Sequence, residues 1–106
     1  MNKKDMAKYQ ARADIIKALA HPTRLFMVDQ LGEGEKCVCE LTDMIKADTS
    51  TVSKHLSVLK SAGLIRDDKR GTSVYYQLKV PCLKGFFGCI ENVMRNNVKE
   101  QMELLK

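Results

Sequence analysis

Residues 48–63, DTSTVSKHLSVLKSAG, decide the architecture. Val52, Leu56 and Leu59 recur at spacings of four and three, which is one face of an α-helix. Asp48 or Thr49 can cap its start, and Gly63 stops it. The opposite face and the N-terminal end carry small or basic polar residues: Ser50, Thr51, Ser53, Lys54, His55 and Ser57. Short hydroxyls and a cation approach phosphates and base edges without steric penalty. The helix N-terminus itself favours phosphate. Taken singly, each hydroxyl reads as well as a cap, and Lys54 as a solvated charge. Taken together, the segment reads as a helix that lies in a DNA groove.

The flanking sequence supplies the rest of such a module. Val38 to Lys46 reads as a short helix with Val38, Leu41 and Ile45 inward, joined to the first by the tight connection Ala47-Asp48. Downstream, Leu64–Arg66 and Val74–Leu78 favour β-structure, and the charged DDKRGTS between them reads as a turn. This hairpin carries Lys69 and Arg70 at its tip, placed to meet a DNA backbone or a minor groove. Residues 3–20 and 23–31 have helical periodicity, separated by Pro22, and GEGEK at 32–36 reads as a turn. From Cys82 to Leu105, Leu83, Phe87, Ile90, Met94, Val98, Met102 and Leu105 recur every three or four residues. The order is α-α-α-α-β-β-α: mainly α with a β-hairpin wing, a winged helix-turn-helix in one domain over residues 1–106.

Bulk properties agree. The 106 residues fit one domain, and 44% hydrophobic with 29% charged is globular composition. A net charge of +5 favours a polyanionic partner, here a double-stranded DNA operator. The N-terminal MNKKDMAKYQARAD lacks the apolar core of a signal peptide, and apolar runs such as Leu25–Val28 are too short to span a membrane. The expectation is a cytoplasmic protein with reduced thiols and no membrane partner. One winged helix reads few base pairs. The last helix carries an apolar stripe wider than one small domain covers, so a homodimer through the first and last helices is expected.

Four cysteines need an account. Cys37 and Cys39 stand one residue apart where a helix begins, and the helix dipole lowers a thiol pKa there. Three readings stay open: paired ligands for a soft metal, a redox or persulfide switch, or small buried hydrophobes. A C-x-C pair rarely closes on itself, so a redox form is expected to join Cys37 or Cys39 to Cys82 or Cys89. A cysteine enzyme would need C-x-x-C or a base beside the thiol. The only histidines are His21 and His55, so no enzyme is expected, and no cofactor is required.

ALAHPTRLFMVDQL (18–31), CVCEL (37–41), STVSKHLSVLKSAGLI (50–65) and KRGTSVYYQL (69–78), in that order, resemble the ArsR/SmtB family of metal-sensing repressors. The resemblance covers nearly the whole chain. It implies a homodimeric repressor released from its operator by an effector bound at the cysteine box, with As(III) or Sb(III) first and other thiophilic metals next. Arsenic-responsive members carry a third cysteine where this chain has Thr42, a poor donor for a soft ion. Cadmium- and lead-responsive members draw cysteines from the N-terminal arm, and Met1 to Lys36 has none. The histidines of zinc-responsive last helices are absent from Cys82 to Lys106. Cys82 and Cys89 remain as candidates for a third ligand.

Overall fold

The computed structural model describes all residues, 1–106. Helix α1 spans Lys3–Leu19, α2 Pro22–Glu33, α3 Val38–Ile45, α4 Thr49–Ser61 and α5 Leu83–Glu103. Strands β1 (Lys36–Cys37), β2 (Ile65–Arg70) and β3 (Ser73–Leu78) form one antiparallel sheet in the order β1-β3-β2. The winged helix-turn-helix expected from the sequence is present.

Local chemistry sets the boundaries. Asn2 caps α1 by accepting from the Asp5 amide at 2.8 Å. His21 caps α2, its Nδ1 accepting from Thr23 N at 3.0 Å, and Pro22 fills the first helical position, where no N–H is needed. α2 runs on through Gly32 to Glu33, and the break comes at Gly34, with φ of 154°. Gly32 lies under Leu78, whose Cδ2 would be 3.8 Å from an added Cβ. Lys46 closes α3 in the left-handed conformation, φ 58°, and turns the chain into α4.

The core gathers one face of each of the first four helices and the base of the wing. Met27, Leu41, Val52, Leu56 and Leu59 are fully enclosed. Each such side chain contributes about 1.5–3 kcal/mol relative to exposure. Ala18, Leu19, Val28, Leu31, Leu64 and Ile65 complete the cluster. The stripe of α4 read from the sequence is thus the centre of the domain.

Two expectations are corrected. The hairpin is longer than read: β2 reaches Arg70, and only Gly71-Thr72 turns the chain, with Gly71 at φ 62°. Asp67 to Arg70 face water, so charge there does not oppose a strand. The stretch 32–36, expected to be a turn, ends in a strand, β1, with Lys36 opposite Tyr76 and Cys37 opposite Tyr75. Two residues show no periodicity, and their pairing partners lie far along the chain.

The last helix stands apart. α5 has no buried residue, although Leu83 and Phe87 lean on the core. Ile90, Val93, Met94, Val98 and Met102 are 46–63% exposed, and on α1 so are Met6, Tyr9 and Ile16 at 51–56%. The radius of gyration is 16.9 Å, against about 13 Å for a compact domain of this length. Two long helices with bare apolar faces account for the excess. No helix is long and apolar enough to cross a membrane.

Candidate nucleic-acid interface and effector site

α4 offers its polar face as the sequence suggested, with qualifications at each end. Ser50, Thr51, Lys54 and Ser57 are exposed, and Ser53 is half-buried. The hydroxyls of Ser50 and Thr51 donate to the Asp48 carboxylate, and those bonds hold its pKa below the usual range. They order the first turn of the helix. Lys54 makes no ion pair.

His55 points elsewhere. Its ring lies 4.4 Å from that of His21, and its Nδ1 is 3.3 Å from Nη1 of Arg24. The guanidinium has no lone pair, so this contact needs His55 Nδ1 unprotonated. Arg24 also donates from Nε to the Ala18 carbonyl at 2.6 Å, tying α1, α2 and α4 together. Burial, then His21, then Arg24 push the His55 pKa down. This side chain braces α4 from behind; nothing local in the sequence distinguishes it from its exposed neighbours.

The wing cations are also divided. Lys69 is exposed and unpaired. Arg70 is held within its own chain: Nη1 and Nη2 donate to the two Glu35 oxygens at 2.7 and 2.8 Å, and Nε to Asp68 at 3.0 Å. Its Cζ lies 4.6 Å from the centre of the Tyr75 ring. The bonds from Arg70 and then Gln77 lower the Glu35 pKa to about 2. Nearby, Arg66 donates to the neutral Gln77 and Lys60 pairs with Asp67.

The cysteine box sits at the start of α3, which packs on α4. Cys37 is buried, in extended conformation, and is the N-cap of α3. Its Sγ accepts from Glu40 N at 3.2 Å, while Glu40 Oε1 accepts from Cys37 N at 3.2 Å. That is a capping box with sulfur in place of a hydroxyl. Cys39 is exposed, and the two cysteines are joined by a disulfide with Cα atoms 5.3 Å apart. The expectation that a redox form joins Cys37 or Cys39 to Cys82 or Cys89 is therefore corrected: here the pair closes on itself. The chain turns from extended to helical between them, and this brings the Cα atoms within disulfide range.

A groove of about 390 Å³ opens beside the pair, between Thr42 and Asp43 of α3, Thr49 of α4, Thr72 of the wing turn and Ser73 of β3. Thr42 donates its hydroxyl to Val38 O at 2.8 Å, which commits its proton locally. Cys82 and Cys89 are free, exposed thiols at and beyond the start of α5. No three His, Cys, Asp or Glu side chains converge on a metal-sized site. One chain thus brings together two sulfurs and no third soft donor. A larger cleft, about 570 Å³, lies between α2 and α5, where burial, Glu91 and Glu33 raise the Asp29 pKa.

Comparison with known proteins adds the context. Residues 21–67 match the family described as "Bacterial regulatory protein, arsR family". An uncharacterized HTH-type transcriptional regulator of Methanocaldococcus jannaschii is 42% identical over 74 residues, 69% of this chain and 83% of that protein. A cadmium resistance transcriptional regulatory protein CadC homolog of Staphylococcus aureus is 42% identical over 72% of this chain. The arsenical resistance operon repressor of Escherichia coli is 42% identical over 60%. The matches span 65% and 56% of the length of these last two relatives. Among solved structures, the homodimeric winged helix-turn-helix DNA-binding domain Mb0332 of Mycobacterium bovis superposes with a TM-score of 0.78 at 27% identity, over 94% of this chain and 93% of that one.

Proposed function

Because the chain belongs to the arsR family of bacterial regulatory proteins, we propose that it is a homodimeric operator-binding repressor, released from DNA by a thiophilic effector at Cys37 and Cys39. It is a DNA-binding regulator, not an enzyme, and it acts in the cytoplasm, where the operator and reduced thiols meet. The observation that carries the reading is the placement of two adjoining sulfurs at the N-terminus of α3, the helix that packs on α4.

DNA is read by α4 through Ser50, Thr51, Ser53, Lys54 and Ser57, with Lys69 on the backbone beside the wing. The bare faces of α1 and α5 supply the two-fold interface that sets two reading heads on one operator.

The effector is As(III) or Sb(III), with other thiophilic ions next. Two thiolates and no gathered carboxylates or imidazoles form a soft donor set. The pair binds in its reduced, dithiol state. A third donor comes from outside this cluster: a thiol in solution, or Cys82 or Cys89 across the dimer. Such an ion supplies strong bonds to sulfur; the response lies in the chain. Cys37 Sγ accepts the Glu40 amide, so drawing that sulfur toward the groove bends the cap of α3. α3 packs on α4, and a small displacement there is enough to bias a dimer between two DNA-binding states.

The test is operator binding followed by fluorescence anisotropy in reductant, with arsenite, Cd(II) and Zn(II) added separately. Arsenite releases the DNA, and Cys37→Ser with Cys39→Ser abolishes the release while preserving affinity. If no ion releases DNA but a polysulfide does, the pair is a redox switch and the metal reading is wrong. If release survives the double substitution, the sensing thiols are Cys82 and Cys89.

A further inference from the structure

Arg70 has the position of a DNA-contacting wing residue and the bonding of something else. Each of its three guanidinium nitrogens donates to Glu35 or Asp68, and its Cζ lies over the Tyr75 ring. Glu35 precedes β1, so the bond spans from the segment before the cysteine pair to the far strand of the wing. Gln77 adds a third bond to the same carboxylate at 2.9 Å. Tyr75, beneath the guanidinium, is the register partner of Cys37. An isolated exposed ion pair holds little. A bidentate pair sharing its acceptor and stacked on a ring is a network with fixed geometry.

We propose that Glu35 and Arg70 are a positioning pair for operator binding: Arg70 makes no phosphate contact, and its capture by Glu35 fixes the pose in which the wing presents Lys69. The inference rests on the operator-binding reading. A free hairpin would hinge about its base. Here β1 and the Glu35–Arg70 bond pin β3 and β2 to the segment between α2 and α3.

The test compares Glu35→Gln, Arg70→Gln, their combination, and the charge-conserving swap Glu35→Arg with Arg70→Glu. Operator affinity is measured from low to high salt. Amide hydrogen exchange is measured at Val74–Gln77 in the free protein. Glu35→Gln removes a negative charge from a DNA-binding face, and simple electrostatics makes it bind more tightly. Positioning predicts the opposite: weaker binding by about two- to fivefold, the scale of one modest interaction. Arg70→Gln weakens it similarly with an unchanged salt slope, the double variant is no worse than either single one, and the swap restores affinity. Exchange at Val74–Gln77 rises in the single variants and falls back in the swap. A salt slope reduced by about 0.9 in Arg70→Gln, with tighter binding by Glu35→Gln, makes Arg70 a phosphate contact and overturns the proposal. If the wild-type chain shows no salt-dependent operator binding, the operator reading itself fails. The exchange arm still judges the clamp, because unchanged exchange in Glu35→Gln removes it.

Discussion

Replacing Cys37 separates what its sulfur does for the fold from what it does for a ligand. The Sγ accepts the Glu40 amide at 3.2 Å inside a capping box, and the side chain is only 3% exposed. Serine keeps an acceptor at that position; alanine leaves the amide without its partner. Loss of an N-cap side chain costs about 0.5–2 kcal/mol. α3 has eight residues, too few to persist on propensity alone, so its cap matters more than that of a longer helix. In reductant, which removes the disulfide from the reference protein, Cys37→Ala is expected to be about 1 kcal/mol less stable than Cys37→Ser. Urea unfolding followed by circular dichroism, at one fixed chain concentration, measures the difference. Both variants lose the arsenite response, because neither retains the ligand. If serine and alanine unfold together, the sulfur does not cap α3, and the route from effector to helix drawn through that cap is wrong.

Three other outcomes can be measured. The His55 pKa is lowered in the fold, so the stability linked to it is complete above the unfolded value, about 6.5, and is lost as pH falls through the folded one. Unfolding midpoints at pH 7.5 and pH 5 are expected to differ more for the wild-type chain than for His55→Gln; equal differences would detach His55 from Arg24. Lys54→Ala and Lys69→Ala are each expected to lower the salt slope of operator binding by up to about 0.9 for every phosphate the lysine neutralises. A slope that stays put takes that lysine off the DNA backbone. Met94→Lys with Val98→Lys puts two charges on the bare stripe of α5 and is expected to yield monomers by analytical ultracentrifugation, with operator affinity lost. A variant that remains dimeric moves the interface elsewhere.

The sequence is most legible where a residue's neighbours along the chain are also its neighbours in space. Val52, Leu56 and Leu59 announce α4 by spacing alone, and all three are fully enclosed. Gly63, at φ 82°, ends it as expected. Leu41 marks the inner face of α3 in the same way. The illegible parts depend on distant partners. β1 exists only because Tyr75 and Tyr76 lie alongside it. Arg70 reads as a free cation from its neighbours, yet Glu35, thirty-five residues earlier, holds it. His55 lies among the polar side chains of α4 but turns toward His21 and Arg24. Helical period fixes direction to within a face, and the packed neighbour decides the rest. The closure of Cys37 on Cys39 escapes a reading that carries one helix or strand period across both. The change of backbone conformation falls between the two.

α5 spans 21 residues and buries none of them within its own chain. In a repressor paired through this helix, ordering α5 and finding a second chain are parts of one equilibrium. Below the pairing constant, the DNA-binding form grows with the square of the chain concentration. While most operators are empty, halving the amount of protein then leaves about a quarter of those occupied. In such a repressor the bare helix would make repression depend steeply on abundance before any effector arrives.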